Sequence, residues 1–458
     1  MAALKSALKQ GQDLFSREWR VARAIDPRAS AGAAKVPSAE PETRWRVVLL
    51  CALVCLLDGY DMVVAPVSAP AMAIDWGLAP SMFTSALTAG ILGIGLGSAF
   101  IAPLGDRFGR RPLVMWSFAL VGTASLATSF CTDVTQLTLL RFITGIGMGA
   151  SLANALALTS EYAAPRVRSR VLACVYASSA FGGALGGLIA PSILAVAGWR
   201  GIYGVGGILP LLLVPLLWFW LAESQRFLCA QNQSDSTAGD NGAEATDAGK
   251  PPGGLLDSLL LLLAPRYRRA TGLVWLLFFL CTFTIYMISS WLPTLMHLME
   301  WSLDSAIRAL MVFSFGGILG GFFLSWMVDI GRIRSALLLG FGLTATALGG
   351  LQVAPANFAV WMTLISMMGA GIIGAANALT AVAVIVYPIE LRASGIGAAG
   401  AVGRLGATAA PVIGGALLAL DISALGILSG LILPMFAGLI VVLCFYRLLN
   451  SPTEYSLP

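Results

Sequence analysis

The sequence predicts an all-α integral membrane protein with twelve transmembrane helices in two pseudo-symmetric six-helix bundles, and three observations lead to this prediction. Of the 458 residues, 58% are hydrophobic and 11% are charged, whereas soluble domains carry about 25% charged residues. Apolar segments long enough to cross a bilayer recur along the chain. Lys and Arg residues collect on alternate connections between these segments.

Twelve segments approach the roughly 20 apolar residues that a helix needs to cross the hydrocarbon core. Six precede a polar stretch in the middle of the chain and six follow it. That stretch contains QNQSDSTAGDNGAEATDAGKPPGG, whose composition cannot build a core. The predicted spans are 46–70, 81–104, 112–130, 135–160, 170–197, 201–222, 269–293, 304–328, 335–354, 357–386, 391–418 and 423–447.

The distribution of positive charge predicts which side of the membrane each connection faces. If both termini lie in the cytoplasm, all but four of the 28 Lys and Arg residues fall on the cytoplasmic side, as the positive-inside rule requires. The predicted domains are a cytoplasmic N-terminal tail (1–45), an N-terminal bundle (46–222), a cytoplasmic linker (223–268), a C-terminal bundle (269–447) and a cytoplasmic C-terminal tail (448–458).

The two halves also resemble each other in sequence. GASLANALALTSEYAAPRVRSR (149–170) in the fourth span and GAANALTAVAVIVYPIELRASG (374–395) in the tenth share an Asn-Ala-Leu core followed by Tyr, Pro and Arg. GDRFGRR (105–111) after the second span has a degraded counterpart, DIGRIR (329–334), after the eighth. Duplicated bundles of this kind place a substrate site between the halves, near the middle of the membrane.

Two carboxylates lie inside the first predicted span. Asp58 is about 12 residues, or roughly 18 Å, from the start of the span, and Asp61 is almost one turn further on the same face. A carboxylate at this depth is costly and indicates a functional site, so we expect both residues to couple the protein to protons. A structural ion pair with an intramembrane Arg is the alternative. Gly59 lets another helix or a substrate approach closely.

Arg404 is a candidate anion-binding residue. It lies in GAVGRLGA, about 12 residues past Arg392 and therefore deep in the eleventh span. Ala180 stands at the corresponding position of the first half, and a site for an asymmetric anion would break the symmetry in this way. The planar guanidinium suits a carboxylate, and the flanking Gly403 and Gly406 would leave room for a ring. A structural partner for an Asp is the alternative.

Four further residues inside the spans have two possible roles each. Arg141, in the outer third of the fourth span, either pairs with one of the buried carboxylates or snorkels at a helix start. Asn154 and Asn377 are related by the repeat, and each either contacts substrate or forms an interhelical hydrogen bond. Tyr286, on the seventh span, either stacks on a substrate ring or serves only in packing, facing lipid or the core.

A charged cluster at the predicted cytoplasmic face is a candidate gate. Such a cluster can hold the two halves together in one state and separate in the other. Setting the topology by positive charge is the simpler role. The residues are Asp106, Arg107, Arg110 and Arg111 on the turn after the second span, with Glu161 and Arg168 as expected partners.

Several of these motifs resemble the major facilitator superfamily. APLGDRFGRR (102–111) is similar to its signature between helices two and three, although Ala102 stands where the first glycine is usual. LLRFITGIGMGA (139–150) resembles its fourth-helix signature. LLDGYDMVVAPVSAPAMAIDWGL (56–78) is similar to the first helix of the aromatic acid:proton symporters, and SSWLPTLM (289–296) also fits that group.

The resemblance implies a secondary transporter that imports an aromatic carboxylate of the 4-hydroxybenzoate or benzoate type with a proton, by alternating access. It implies a bacterial inner membrane location and agrees with proton coupling at Asp58 and Asp61. A monoanion entering a negative cell climbs about 2.3 kcal/mol per 100 mV, and one co-transported proton cancels that electrical cost. We expect a monomer in the lipid bilayer that binds neither nucleic acid, a metal nor a cofactor.

Three other functions remain open from the residues. The first is proton symport of a non-aromatic organic acid or a sugar. The second, drug/proton antiport, is less favoured because the fifth span lacks an adjacent Gly-Pro pair, with Pro191 displaced from its glycines. The third is a membrane sensor. An enzyme is disfavoured, because the sequence has no nucleophile–base or metal-ligand constellation and only one histidine, His297.

Overall fold

The computed structural model describes residues 43–225, 227–228, 261–264, 267–387 and 389–449. These residues are almost entirely helical. The predicted tails and most of the predicted linker lie outside the described residues, so the domain limits remain predictions.

Twelve long helices follow one another in the described part of the chain, and the predicted fold class is confirmed. Ten described stretches are long and apolar enough to cross a membrane. One of them is two helices joined at Gly198, and Arg110–Thr128 adds the twelfth helix. They are α1 (Trp45–Trp76), α2 (Pro80–Ile101), α3 (Arg110–Thr128), α4 (Val134–Tyr162), α5 (168–197), α6 (199–220), α7 (Arg268–Leu298), α8 (Leu303–Asp329), α9 (Ile333–Val353), α10 (Phe358–Val386), α11 (Ile389–Ala419) and α12 (Ala424–Gly430 with Ile432–Leu449).

Polar residues and glycines fix where the helices begin and end. The Asp133 carboxylate accepts the Gln136 N–H at 2.8 Å and starts α4. Gly198, with φ +63°, separates α5 from α6, because a residue with a side chain rarely adopts this backbone conformation. The connections alternate between two ends of the molecule, which we call the Asp106 end and the Asp75 end after a residue at each.

The surface that surrounds the bundles is strongly apolar. Trp116, Phe219 and Leu433 are among the large hydrophobic side chains that point outward from the helices. A contiguous surface of this kind is stable only in contact with lipid. The chain is therefore a multi-pass membrane protein.

The backbones of α1 and α5 touch beside the two carboxylates of α1. A Cβ added to Gly59 would lie 1.7 Å from the Ser179 carbonyl oxygen, and one added to Gly182 would lie 1.8 Å from the Leu56 carbonyl oxygen. Small residues allow this approach, which is how helices associate in membranes. Of the two alternatives for Gly59, the structure shows the close approach of a helix.

We expect Gly59→Ala to destabilise the protein, because its methyl group would collide with backbone that has no rotamer to change. The expected loss is at the upper end of the roughly 1–3 kcal/mol typical of overpacking. Gly183→Ala is the matched control, because its Cβ would meet the Gly59 carbonyl oxygen at 3.4 Å. Thermal unfolding of both purified variants measures the difference. Equal unfolding temperatures would contradict the close contact.

The two bundles meet in the half of the membrane nearer the Asp75 end. A Cβ on Gly187 of α5 would lie 2.9 Å from the Met311 Cβ of α8. A Cβ on Gly415 of α11 would lie 1.8 Å from the Thr84 Oγ1 of α2. Gly415 and Thr84 both lie within about one turn of their helix ends. The two bundles are therefore packed against each other near that end.

Candidate proton and substrate site

A buried ion pair joins α1 to α4. The Arg141 Nη1 lies 3.0 Å from the Asp61 Oδ2, and the two residues are 3% and 4% exposed. The Ser125 hydroxyl is 3.5 Å from the Asp61 Oδ1, and the Arg141 Nη2 donates to the Thr144 Oγ1 at 3.2 Å. The guanidinium also lies 4.9 Å from the centroid of the Tyr203 ring. Of the two carboxylates that Arg141 was expected to reach, it therefore pairs with Asp61.

Asp58 has different surroundings, although it is only three residues away. It is 5% exposed, and no described residue forms a hydrogen bond or an ion pair with its carboxyl group. Positions three apart on a helix differ by about 60° around the axis, so Asp61 reaches α4 and Asp58 does not. An unpaired carboxylate away from water is expensive to keep charged.

Arg404 approaches the same region from the other bundle. Its side chain is exposed, and its Nη1 donates to the Ile94 carbonyl oxygen of α2 at 3.3 Å. Tyr176 of α5, which is 58% exposed, lies in the neighbourhood of both Asp58 and Arg404. Tyr286 of α7 lies in the same neighbourhood. These four residues come from four helices of both bundles.

Tyr176 was not predicted from the sequence. Ser179 lies one turn further along α5, and its carbonyl group abuts Gly59, next to Asp58. Tyr176 and Ser179 therefore share the stripe of α5 that faces α1. The only signal in the sequence was a hydroxyl-bearing aromatic residue inside the fifth span.

The expectation that Gly403 and Gly406 leave room for a ring is wrong. A Cβ on Gly406 would lie 2.6 Å from the Phe279 carbonyl oxygen of α7, and the Thr282 Oγ1 donates to the Gly403 carbonyl oxygen at 2.6 Å. The space beside both glycines is occupied by α7. Phe279 stacks on Phe283, with ring centroids 6.1 Å apart, on the helix that carries Tyr286.

The two repeat-related amides have different surroundings. The Asn154 Nδ2 donates to the Ala102 carbonyl oxygen at 3.1 Å and to the Ala150 carbonyl oxygen at 2.9 Å. This is the interhelical hydrogen bond that the sequence left as one alternative, and the side chain is 3% exposed. Asn377 is exposed, and its Nδ2 would lie 2.7 Å from a Cβ on Gly321 of α8. The role of each amide in substrate binding remains a prediction.

A network of charges closes the Asp106 end of the N-terminal bundle. The Arg110 guanidinium lies 2.8 Å from the Asp106 carboxylate and 2.6 Å from the Glu161 carboxylate. The Glu223 Oε1 accepts the backbone N–H groups of Arg110 and Arg111 at 2.9 Å and 3.1 Å. Glu161 is thus a partner of the turn, as expected, and the network joins the ends of α4 and α6 to it.

Two predicted members of this network lie apart from it. Arg107 stacks on Phe108 at 5.5 Å, and Arg168 is exposed and forms no ion pair with any described residue. The contacts just given all lie within the N-terminal bundle, so a latch between the halves remains a prediction. Glu223 was missed, and its signal was a lone acidic residue at the end of the sixth span.

Comparison with known proteins identifies the family. The model of the Major Facilitator Superfamily matches residues 50–312 and again 274–457, which together cover both bundles. The chain belongs to the Major Facilitator Superfamily. Among solved structures of this fold, a bacterial homologue of the human lysosomal transporter Spinster aligns with a TM-score of 0.64 at 17% identity, covering 88% of this chain and 97% of that one.

Curated relatives of this Major Facilitator Superfamily chain transport aromatic acids. The 4-hydroxybenzoate transporter PcaK of Pseudomonas putida is 32% identical over 85% of this chain and 90% of its own length. The 3-(3-hydroxy-phenyl)propionate transporter of Escherichia coli K12 is 33% identical over 86% of this chain and 92% of its own length. The resemblance to aromatic acid transporters is confirmed, and the chain is a transporter, not an enzyme.

Proposed function

We propose that the protein imports an aromatic carboxylate of the 4-hydroxybenzoate or benzoate type together with a proton, across a bacterial inner membrane. The observation that carries this proposal is an unpaired carboxyl group, Asp58 of α1, and an exposed guanidinium, Arg404 of the opposite bundle, which have Tyr176 and Tyr286 as common neighbours. Both tyrosines are in or near the membrane-embedded part of the site, and each has an aromatic ring that can lie against a substrate ring. The names of the relatives favour an aromatic acid as substrate.

Arg404 binds the substrate carboxylate in this proposal. Without substrate, its guanidinium donates one long hydrogen bond, 3.3 Å, to a neutral backbone carbonyl. A carboxylate accepts two parallel hydrogen bonds from a guanidinium, and such charge-assisted bonds are roughly twice as strong as neutral ones. Substrate therefore displaces the Ile94 carbonyl. Tyr176 and Tyr286 then flank the ring, which has a flat apolar face on each side.

The charges of the site explain why a proton accompanies the anion. Asp61 and Arg141 cancel as an ion pair. A charged Asp58 then balances Arg404, so the empty site is formally neutral. A substrate anion would leave the site with a net negative charge within the membrane, which is costly. A proton on Asp58 restores neutrality, so the anion and the proton are bound together.

Alternating access delivers both ligands to the other side. The bundles touch near the Asp75 end, while Tyr176 and Arg404 remain exposed at mid-depth. We infer that the site opens toward the Asp106 end, which faces the cytoplasm by the distribution of Lys and Arg. Rocking of the two bundles around the site would open the Asp75 end and close the other.

Uptake of labelled 4-hydroxybenzoate by proteoliposomes, with and without an imposed pH gradient, tests the proposal. We expect accumulation only when the outside is more acidic. Excess unlabelled benzoate should compete, whereas aliphatic acids and sugars should not. Uptake that ignores the gradient would contradict proton symport. Competition by a sugar or an aliphatic acid but not by benzoate would contradict the aromatic substrate.

Arg404→Lys is expected to weaken substrate binding and leave the fold intact. The Lys ammonium keeps the charge but lacks the planar fork that binds a carboxylate through two bonds. The half-saturation concentration should rise roughly 10-fold, equivalent to about 1.4 kcal/mol. Arg308→Lys is the matched control, because Arg308 is a half-exposed surface residue paired with Asp304. An unchanged half-saturation concentration in Arg404→Lys would contradict its role.

A further inference from the structure

The stripe of α11 that carries Arg404 faces the N-terminal bundle. Gly415 lies about three turns beyond Arg404 on the same face, and a Cβ there would lie 1.8 Å from the Thr84 Oγ1 of α2. Gly400 and Gly397 lie about one and two turns before Arg404, also on this face. Gly415 is thus in contact with α2, and the other three residues continue the same stripe toward the Asp106 end.

Space opens between α11 and α2 toward the Asp106 end. Beyond the adjoining backbone of α11, no described atom lies within 4 Å of a Cβ added to Gly400 or Gly397. Gly95 of α2 lies about three turns past Thr84 on the face toward α11, and it has the same open surroundings. The two helices, which touch near the Asp75 end, therefore diverge. We call the space lined by Gly95, Gly397 and Gly400 the glycine wedge, and Arg404 lies at its narrow end.

The Arg404 side chain does not cover the glycines. A helical side chain normally covers the turn on the N-terminal side of its own Cα, which for Arg404 is the turn of Gly400. No Arg404 atom lies within 4 Å of a Cβ on Gly400, because the guanidinium extends across to the Ile94 carbonyl oxygen at 3.3 Å. One helical turn rises about 5.4 Å, which is comparable to the length of a benzoate ring measured from its carboxyl carbon. A substrate held by its carboxylate at Arg404 therefore reaches Gly400 with its ring.

The two halves of the chain differ in side-chain size at these positions. The alignment of the halves that pairs Arg404 with Ala180 also pairs Gly400 with Tyr176. Each half thus carries one large and one small residue, in opposite order along the helix. The halves are related by an axis along the membrane normal, so Tyr176 and Gly400 lie at similar depth on opposite sides of that axis. A flat ring between them would have an aromatic contact on one side and helix backbone on the other.

Packing between helices does not explain the glycine at position 400. Gly406, on another face of α11, is required by the contact with α7, since a Cβ there would lie 2.6 Å from the Phe279 carbonyl oxygen. Gly400 has no such contact, and glycine lowers the stability of a helix interior relative to alanine. Glycine is favoured where a ligand approaches the backbone closely, and this role accounts for Gly400.

Two charged groups of the candidate site lack a strong partner among the described residues. The exposed Arg404 guanidinium donates to a neutral backbone carbonyl. Asp58 is 5% exposed and forms no hydrogen bond or ion pair with a described residue. Both have Tyr176 and Tyr286 as common neighbours. These groups point to a ligand at this place independently of the glycines.

We propose that the substrate ring lies over Gly400, on the Asp106 side of Arg404, and that Gly400 determines which ring substituents the transporter accepts. This inference rests on the proposed transport of an aromatic carboxylate. A substituent on the far edge of the ring points along the glycine wedge toward Gly397, where the space continues. A side chain at position 400 would occupy the place of the ring edge, so a substituted ring loses more affinity than benzoate does.

A graded series at position 400 tests the inference by uptake of labelled 4-hydroxybenzoate and labelled benzoate into proteoliposomes. We expect the half-saturation concentration for 4-hydroxybenzoate to rise about threefold in Gly400→Ala and at least about 10-fold in Gly400→Val. The value for benzoate should rise at least about threefold less in Gly400→Val. Gly342→Val is the matched control, because a Cβ there also has no atom within 4 Å, but α9 packs against α8, α10 and α12. Both half-saturation concentrations should stay within about twofold of the wild type in this control.

The outcomes separate this inference from the proposed function. Absence of 4-hydroxybenzoate uptake in the wild type would defeat the proposed function itself. Unchanged half-saturation in Gly400→Val, or an equal rise for both substrates, would overturn only the role of Gly400.

Thermal unfolding of Gly400→Ala tests the open space directly. We expect an unfolding temperature equal to or above that of the wild type, because alanine favours the helix and its methyl group meets no other atom. A lower unfolding temperature would overturn the placement of the ring. If Gly400→Val fails to fold, the selectivity of Gly400→Ala between the two substrates decides alone.

Discussion

Asp58→Asn is expected to abolish accumulation of 4-hydroxybenzoate in proteoliposomes with an imposed pH gradient. Asn has the shape of a protonated Asp but cannot release a proton. The site would behave as if Asp58 were permanently protonated, so substrate binds and exchanges but is not concentrated. In the wild type, a pH difference of two units can support an accumulation ratio of about 100. We expect this ratio to fall to about 1 in Asp58→Asn.

Two transport measurements on Asp58→Asn test this prediction. Gradient-driven uptake should be lost, while exchange of labelled for unlabelled substrate should persist. Asp75→Asn is the matched control, because Asp75 lies on the same helix but is half-exposed and paired with Arg200 at 3.1 Å. Full accumulation by Asp58→Asn would show that the proton is carried elsewhere. Loss of both activities would show that Asp58 is needed for substrate movement itself.

The fold followed from the sequence because a bilayer imposes simple rules. Segments long enough to cross the hydrocarbon core must be helices, and the alternation of Lys and Arg fixes the number of crossings. The kink at Gly198 has a weaker signal in the sequence. A single glycine separates α5 from α6, and the sequence placed the boundary there only because two spans had to fit.

The candidate site was predicted less completely, because side-chain pairing depends on rotation about each helix axis. Asp58 and Asp61 are both within reach of an Arg on a neighbouring helix when only spacing is considered. The structure resolves the choice through the angle between them, which turns Asp61 toward Arg141. Asn154 shows the same difficulty, since hydropathy cannot distinguish an amide that bonds to a neighbouring helix from one that faces substrate.

Glycines were the least reliable guide to the site. Gly403 and Gly406 suggested room for a ring, but α7 occupies that room. In a membrane, the contact between two helices and the contact between a helix and a ligand both favour small residues. Only the position of the neighbouring helix separates them.

The two carboxyl groups of α1, Asp58 and Asp61, have different roles in the proposed mechanism. Asp58 is unpaired and has neighbours in common with Arg404, so in the proposed mechanism its protonation depends on whether the substrate site is filled. Asp61 is bound to Arg141 inside one bundle, so it influences how α1 packs against α4. A transporter needs both properties, since protonation must favour substrate binding and also permit the bundles to move.

Arg141→Gln is expected to be severely destabilising. It leaves the Asp61 carboxylate buried without its guanidinium, and breaking a buried ion pair costs about 3–5 kcal/mol. The combination of Arg141→Gln with Asp61→Asn removes both charges, so no buried charge is left without its partner. We therefore expect the double variant to regain most of the lost stability. Thermal unfolding of the purified single and double variants measures this recovery.

Transport by the double variant separates a structural pair from a coupling pair. If the pair only held α1 against α4, restored stability would bring back gradient-driven uptake. We expect the opposite, with a stable protein that exchanges 4-hydroxybenzoate but accumulates it at least 10-fold less than the wild type. In the double variant, position 61 can no longer take up a proton and position 141 no longer carries a charge. The transition between states is therefore not tied to protonation. Recovery of both stability and accumulation would assign the pair a purely structural role.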